Sequence, residues 1–280
     1  MINSSHGFAI VTPASRGLGF AIAQHLLSRT PLPVVATVRR NKDGVHDKLL
    51  SGKNMPRSAA ERLTVLEVDV TDESTISSMA SHLHQAYPKT PLRLALTLPG
   101  ILHVEKSPSQ IDAASAMHSF QVNALGPMLL MKHLAPFLPT KSTRPFPTLP
   151  HSDDNNNNNN ASLSLPAHSI YATFAARVGS ISDNASGGWY SYRASKAAVF
   201  QLTKTFDLYL RAQSRDRALA VALHPGTVRT DFTREYWGTR EMLEPWDAAE
   251  RLLNVLIGLS TDFDGGRGRC WDWKGVEVGP

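Results

Sequence analysis

The feature that most constrains the fold is a repeated alternation of short apolar runs with longer amphipathic runs. Runs of strand length, rich in apolar and branched residues, fall at 8–12, 34–38, 63–68, 92–98, 169–174 and 218–223, with a further edge strand expected at 269–273. Helical patterns fall between and after them, at 20–28, 72–87, 111–138, 190–215 and 246–259. Strands that alternate with helices form a parallel sheet covered by helices on both faces. The sequence therefore predicts a single-domain, doubly wound α/β fold.

One stretch interrupts this alternation. Residues 139–167 are rich in proline and contain the asparagine run 155–160. Such a composition cannot bury an apolar core. We therefore expect one domain over residues 1–280, with a disordered surface insertion at about 139–167.

Composition excludes several classes of protein. Cys270 is the single cysteine, so no intramolecular disulfide can form and a cysteine-ligated zinc site is not expected. The histidines lack ligand spacing, which predicts no metal. The net charge of +5 comes without a basic run, so nucleic acid is not expected as a partner. The absence of an 18-residue apolar run predicts no membrane span, and the first residues lead directly into a strand, which favours a cytoplasmic location.

The turn after the first strand has a glycine pair, Gly17-x-Gly19, that opens the first helix. Backbone N–H groups and the helix dipole favour a pyrophosphate at such a position, although a glycine pair is often only a turn. Arg39 and Arg40 end the second strand, where an NAD-binding protein usually has an acid. With Arg16 nearby, these arginines favour a 2′-phosphate by about ten- to a hundredfold, so NADP(H) is the predicted cofactor.

The helix predicted from about residue 190 carries Tyr192 and Lys196 four positions apart. Side chains at this spacing share a helix face. A fixed positive charge beside a phenol lowers the pKa of the phenol, which makes tyrosine a usable acid or base. The same spacing also arises by chance in structural helices.

Taken together, these motifs resemble those of the classical short-chain dehydrogenase/reductase family, of the carbonyl-reductase-like or C-factor-like branch whose active-site helix reads GGWYxYRASKAA. The resemblance covers nearly the whole chain apart from the insertion, and it implies a Rossmann fold. The matching residues are Thr12, Gly17, Gly19, Asp69, Val70, Asn123, Tyr192, Lys196, Pro225, Gly226 and Thr230.

The resemblance implies hydride transfer between a nicotinamide and a carbonyl or alcohol carbon. Tyr192 would donate the proton, Lys196 would lower its pKa and bind the ribose, and Asn123 would hold a relay water. Asp69 and Val70 would contact the adenine. Cofactor contacts are expected from Thr12, Ser15, Arg16, Gly17, Leu18, Gly19, Arg39, Arg40, Asp69, Val70, Gly100, Asn123, Tyr192, Lys196, Pro225, Gly226, Val228 and Thr230. The substrate would be a small carbonyl or alcohol compound under a mobile lid at 232–246, and a homodimer or homotetramer is compatible with the resemblance.

Three positions depart from the family pattern. Pro13 replaces a glycine of the phosphate turn, and Thr97-Leu98-Pro99-Gly100 keeps only the glycine of the usual Asn-Asn-Ala-Gly. Ala175 and Ala176 stand where a serine is expected, and Thr173 or Ser180 would have to replace its hydroxyl. A missing donor costs on the order of 10² to 10³ in rate, by analogy with a lost oxyanion donor. Two hypotheses follow: a slow NADP(H)-dependent oxidoreductase, or a cofactor-binding but catalytically silent sensor or partner subunit.

Overall fold

A computed structural model describes residues 6–52, 55–147, 162–238, 242–262 and 264–280. It contains one eight-stranded sheet of order β3-β2-β1-β4-β5-β6-β7-β8. All neighbouring strands pair in parallel except β7 and β8, which are antiparallel. The order reverses between β1 and β4, so the crevice beyond the carboxyl ends of these strands is the place where such a sheet binds ligands. The predicted doubly wound Rossmann fold is confirmed.

The strands begin and end close to the predicted positions. They are β1 Phe8–Thr12, β2 Val34–Val38, β3 Leu63–Glu67, β4 Leu92–Thr97, β5 Ser169–Phe174, β6 Ala218–His224, β7 Cys270–Asp272 and β8 Glu277–Val278. The helices are α1 Gly17–Arg29, α2 Lys42–Leu50, α3 Ala59–Arg62, α4 Glu73–Ala86, α5 Ala113–Phe120, α6 Gly126–Leu134, α7 Tyr190–Gln213 and α8 Pro245–Ile257.

The central strands are apolar on both faces because helices cover both faces. One apolar layer joins the sheet to α1, α2 and α8, through residues such as Leu26, Leu49 and Leu252. The other joins it to α4, α6 and α7, through residues such as Leu83 and Leu130. Burying a leucine or isoleucine side chain stabilises a fold by roughly 1.5–3 kcal/mol, so these two layers hold the helices firmly on the sheet. In the part of the chain that the structure describes, no helix combines the length and the apolar character needed to cross a membrane.

Three local details differ from the sequence predictions. Asp72 is the N-cap of α4 rather than its first helical residue, and its carboxylate accepts the backbone N–H of Ser74. The helix predicted at 111–138 is interrupted by a π-helical turn over Gln121–Leu125. The predicted edge strand near 269–273 is not the last strand, because Glu277–Val278 pairs outside it. The first two differences arise from local hydrogen bonds that hydrophobic periodicity does not report.

The flanks of the predicted insertion pack against the domain, while residues 148–161 of that prediction lie outside the described residues. Leu138, Phe146, Leu163 and Leu165 are buried. The buried guanidinium of Arg93 donates to the carbonyl oxygens of Pro147, Leu165 and Pro166. A single side chain in β4 therefore holds both ends of this stretch side by side.

Candidate functional site

The glycine turn lies between the carboxyl end of β1 and the start of α1. Gly17 has a φ of +57°, a conformation that glycine adopts without strain. A Cβ on Gly19 would lie 2.0 Å from the carbonyl oxygen of Pro13, so only glycine allows the helix to approach the strand this closely. The turn thus forms with Pro13 in place of the family glycine, and the N-terminus of α1 faces the crevice with Ser15 partly exposed and Leu18 packed against the core.

The predicted adenosine end of the crevice is charged and open to solvent. Arg39 and Arg40 directly follow β2 and are exposed, and the Arg16 side chain has 78% relative exposure. The hydroxyl and the backbone N–H of Thr71 hydrogen-bond to the carboxylate of Asp69 and hold its pKa below its usual range. The charges of Arg39 and Arg40 lower that pKa further, which places both arginines within electrostatic reach of Asp69.

Val70, the neighbour of Asp69, packs against the helix that follows the π-helical turn. A Cβ on Gly126 would lie 2.9 Å from the Val70 side chain, so glycine at the start of α6 lets the two segments meet. This contact joins the predicted adenine contacts at 69–70 to the segment that carries Asn123.

Lys196 is buried on α7 and reaches the end of β5. Its Nζ donates a hydrogen bond of 2.8 Å to the carbonyl oxygen of Phe174. Burial lowers the pKa of Lys196 from 10.5 to about 8. A Cβ on Gly179 would lie 2.6 Å from the Lys196 carbonyl carbon, so glycine at this position lets the loop after β5 pack directly on the helix backbone.

Asn123 lies in the π-helical turn and is completely buried. Its Oδ1 accepts the backbone N–H of Ile101 at 2.8 Å, and its Nδ2 donates to the Ile101 carbonyl at 2.9 Å. Nδ2 also donates to the Ser195 Oγ at 3.0 Å, and Ser195 in turn donates to the Tyr192 carbonyl at 2.9 Å. The amide therefore fastens the loop after β4 to the helix that carries Tyr192. π-Helical turns often occur at functional sites.

Gly100 borders a polar gap between two of the predicted catalytic side chains. A Cβ built on Gly100 would lie 3.5 Å from the Lys196 Nζ and 3.9 Å from the Asn123 Oδ1. The bare glycine thus leaves room for a small polar group, such as a water molecule, beside an ammonium donor and an amide acceptor.

Tyr192 is buried in the first turn of α7 and is flanked by aromatic rings. The ring centroids of Trp189 and Phe232 each lie 6.2 Å from that of Tyr192. Phe232 belongs to the segment after β6 that the sequence predicts as a lid, at 232–246. Residues 239–241 of that segment lie outside the described residues. The end of this segment is tied to α1, because the ring of Trp246 stacks on that of His25 with 3.6 Å between centroids.

The segment after β6 also contacts the glycine turn. Gly226 has a φ of +74°, and a Cβ there would lie 2.5 Å from the indole nitrogen of Trp273. A Cβ on Gly17 would lie 3.1 Å from the Thr230 methyl, and Arg16 pairs with Asp231 at 3.5 Å. Pro225 is partly exposed and Val228 is buried. The segment thus brings Thr230 to the predicted phosphate turn.

The two alanines after β5 differ in their surroundings. Ala175 belongs to an apolar cluster with Val199, Ala222, Cys270 and Val278, whereas Ala176 is buried outside that cluster.

Burial raises the pKa of the Cys270 thiol to about 12, which makes it a poor nucleophile.

The two hydroxyls considered as replacements for the serine are already engaged. Thr173 accepts a hydrogen bond of 3.2 Å from Thr97. This pair continues a row of threonines across the sheet, in which Thr37 donates to the Thr12 hydroxyl at 2.6 Å. Ser180 lies 3.1 Å from the Ser182 hydroxyl and accepts the Asp183 N–H at 3.1 Å.

Sequence reasoning did not select three residues that organise this site: Ser195, Arg193 and Glu105. Ser195 bridges Asn123 and the Tyr192 carbonyl, and Arg193 donates to the carbonyls of Gly187, Gly188 and Val178. Both belong to the quoted helix motif, so the motif carried a usable signal. Glu105 accepts the Ser191 N–H at 2.7 Å, and as a lone loop carboxylate it carries no such signal. Within the described ranges, no cluster of His, Cys, Asp and Glu side chains has the composition of a metal site.

Comparisons with known proteins bear on the family and the fold. The sequence profile of the short chain dehydrogenase family matches residues 7–144. A 1-hydroxy-2-glutathionyl-2-methyl-3-butene dehydrogenase of Rhodococcus sp. is 26% identical over 257 residues, covering 91% of this chain and 93% of the relative. The C-signal protein of Myxococcus xanthus is 29% identical over 168 residues, covering 60% of this chain and 80% of the relative.

Solved structures share the fold along the whole chain. An NADPH-bound carbonyl reductase from chicken fatty liver superposes with a TM-score of 0.77 at 24% identity, covering 98% of each chain. A short-chain dehydrogenase/reductase of Burkholderia multivorans with bound NADP gives 0.73 at 22% identity, covering 98% of this chain and 100% of that one. The predicted family is confirmed: the chain belongs to the short-chain dehydrogenase/reductases, a family of oxidoreductases.

Proposed function

We propose that this protein is an NADP(H)-dependent oxidoreductase that transfers hydride between the nicotinamide and the carbonyl or alcohol carbon of a small molecule. The observation that carries the proposal is that the polar ends of Lys196 and Asn123 meet beside Gly100, with Tyr192 one helical turn before Lys196 in α7. Lys196 is fixed to the end of β5, and the Asn123 amide joins the loop after β4 to the helix that carries Tyr192.

The protein residues handle the proton in this proposal. Tyr192 donates its phenolic proton to the oxygen of the developing alkoxide, and the Lys196 ammonium favours the phenolate that remains. Because Lys196 has a pKa of about 8, it carries its charge at neutral pH and can also release a proton at modest cost. A water in the gap at Gly100 would contact both Nζ and the Asn123 Oδ1, which gives the proton a path to this side of the site.

The residues of the crevice fit a dinucleotide. The close approach at Gly19 and the left-handed backbone at Gly17 leave the N-terminus of α1 open to a pyrophosphate. NADP(H), when bound, would supply or accept the hydride. Arg39 and Arg40 would bind the 2′-phosphate, and their exposure beside Asp69 supports NADP(H) over NAD(H). The solved structure of the chicken carbonyl reductase holds NADPH, and that of the Burkholderia protein holds NADP.

The missing serine makes a slow enzyme the expected form of this activity. The hydroxyls of Thr173 and Ser180 accept hydrogen bonds from the Thr97 hydroxyl and the Asp183 N–H, which hold both in place, and we take neither as a replacement for the missing donor. Ala176 marks the vacated position better than Ala175, because Ala175 is sealed in an apolar cluster. The same substitution also supports the second candidate, a protein that binds NADP(H) as a sensor or partner subunit without turnover.

The test is NADPH oxidation by the purified protein with a panel of aldehydes and ketones. Tyr192→Phe should lower kcat by about 10² to 10⁴, the usual contribution of a general acid, and should have a much smaller effect on NADPH affinity. Tyr190→Phe is the matched control, since Tyr190 lies in the same helical turn but is exposed, and it should retain wild-type turnover. Equal turnover by Tyr192→Phe would refute the assignment. NADPH binding without turnover over the whole panel, unchanged by Ala176→Ser, would favour the sensor.

A further inference from the structure

Three alternate residues of the loop between β4 and α5 make hydrogen bonds to neighbouring elements. Ile101 pairs with the Asn123 amide through both its N–H and its carbonyl. His103 Nδ1 lies 3.0 Å from both the Ser115 carbonyl and the Ser119 hydroxyl. Glu105 contacts the start of α7. Three residues of this short loop are therefore fixed to neighbouring elements, Ile101 through its backbone, His103 through its side chain and Glu105 through both.

The contacts of Glu105 involve both its backbone and its side chain. Its carbonyl oxygen accepts the Trp189 N–H at 2.6 Å, and its Oε2 accepts the Ser191 N–H at 2.7 Å. The residue is 3% exposed, and its Oε1 is buried with no hydrogen-bond partner among the described residues. Burying a carboxylate that is only partly satisfied costs free energy, so this position is an unusual place for a carboxylate unless it has a role.

The start of α7 needs such an external acceptor. The first N–H groups of a helix have no partner within the helix, and they are usually capped by the side chain of the N-cap residue. Here the N-cap residue is Trp189, which has a φ of 52° and gives no side-chain cap. The Glu105 carboxylate, contributed by a different loop, takes that place one residue before Tyr192.

We propose that Glu105 is a positioning residue for Tyr192. It fixes the first turn of α7 to the same loop that Asn123 holds at Ile101, so that one short segment sets the position of the phenol relative to Asn123 and Lys196. The inference rests on the proposed oxidoreductase function, and it concerns hydrogen-bond geometry: the carboxylate acts by accepting the Ser191 N–H.

Turnover provides the first test. Glu105→Ala should lower kcat for NADPH-dependent carbonyl reduction by about 10- to 100-fold, because a displacement of about 1 Å at a reacting group can cost 10²-fold. The KM for NADPH should stay within about twofold of wild type, since β1 lies between β4, which leads into this loop, and β2, which ends at the arginines. Glu105→Gln keeps an acceptor oxygen and should restore kcat to within about threefold of wild type.

The matched control is Asp112→Ala. The Asp112 carboxylate also accepts a first-turn N–H, that of Ser115 at 2.8 Å, but its hydrogen bonds are to α5 rather than to α7. Its removal should leave kcat within about twofold of wild type. Should Glu105→Ala fail to fold, Glu105→Asp serves instead: it is one methylene too short to reach the Ser191 N–H and should show the same loss of kcat.

Amide hydrogen exchange tests the position without turnover. In the protein without cofactor, Glu105→Ala or Glu105→Asp should speed exchange over residues 187–195 by tenfold or more, while Glu105→Gln and Asp112→Ala should not. An active wild type whose Glu105→Ala or Glu105→Asp variant keeps wild-type kcat and exchange would overturn the proposal, as would a Glu105→Gln variant that loses as much kcat as Glu105→Ala. A wild type that never turns over refutes the proposed function, and the exchange result still decides whether Glu105 fixes the turn.

Discussion

The start of α7 and the arginine rim after β2 border the same crevice but differ in burial. Asn123, Tyr192 and Lys196 are nearly inaccessible to solvent, and each is held by packing or hydrogen bonds to neighbouring elements. Arg39 and Arg40 are exposed, at the end of a strand whose other side chains form the core.

This difference in burial predicts different behaviour. Electrostatic interactions inside a protein are stronger than in water, and they are little affected by salt. Exposed charges are screened over about 10 Å at 0.1 M salt. The chemistry should therefore depend steeply on single buried side chains, whereas cofactor selection should be a sum of modest, salt-sensitive contributions.

The largest effect is expected from removing the buried cation. Lys196→Met keeps the length of the side chain but removes the ammonium, and kcat should fall by about 10² to 10⁴. The folded state should not be weakened much, because the variant also removes a buried charge. Lys204→Met, on the same helix but exposed, is the control and should retain activity. Steady-state kinetics with thermal unfolding checks both, and a Lys196→Met variant within threefold of wild type would contradict the importance of the buried site.

Restoring the missing hydroxyl should be the next largest effect. Ala176→Ser should raise kcat by up to about 10²-fold, the cost of one absent donor. Ala175→Ser is the matched control: it puts a hydroxyl into the apolar cluster and should lower the free energy of unfolding by about 1–3 kcal/mol without raising kcat. Urea unfolding and turnover measured on both variants make the comparison. A larger gain from Ala175→Ser than from Ala176→Ser would place the vacated position at the other alanine.

Substitutions in the arginine rim should have smaller effects than those in the buried site. Arg39→Ala and Arg40→Ala should each raise the Kd for NADPH by about ten- to a hundredfold and leave the weaker binding of NADH unchanged, because only NADPH carries the 2′-phosphate. The difference between wild type and variant should shrink between 50 and 500 mM salt. Arg57→Ala, which removes another exposed arginine, is the control. Fluorescence titration measures all three, and equal losses for NADPH and NADH would refute the assigned role.

The same contrast explains what the sequence could predict. Period and composition predicted β1, β2 and β5 to the residue, since buried parallel strands are nearly uniform apolar runs. The helix motif marked Tyr192 and Lys196 because their spacing is local. Glu105 could not be predicted, because its role depends on a contact between segments far apart in the chain. The π-helical turn at Asn123 could not be predicted either, because hydrophobic periodicity does not distinguish it from an α-helical turn. The site-residue assignments themselves stay predictions until the variants are measured.

The pH dependence of turnover should report on Lys196. Its pKa is about 8 in the folded protein and 10.5 when exposed, so kcat should decline by up to tenfold per pH unit above about 8 as the ammonium is lost. Between pH 8 and 10.5 the folded state binds fewer protons at Lys196 than the unfolded state does. The cost of burying the ammonium is therefore relieved as pH rises, and Lys196 does not contribute to alkaline unfolding. If kcat stays constant up to pH 9.5 while the protein is shown to remain folded, the expectation that turnover requires the Lys196 ammonium is contradicted.

The smallest effect is expected where the buried site borders open space, at Gly100. The backbone at Gly100 is not in the left-handed region, and an added methyl would make only ordinary contacts with the Lys196 Nζ and the Asn123 Oδ1. Gly100→Ala should therefore fold normally and bind NADPH. It should lower kcat by about three- to tenfold, because the methyl displaces a water that the two polar atoms would share, at a cost on the order of 1 kcal/mol. Gly258→Ala, a glycine substitution remote from the crevice, should leave kcat unchanged. If Gly100→Ala also leaves kcat unchanged, the gap at Gly100 plays no part in proton transfer, and the proton must leave Lys196 by another side of the site.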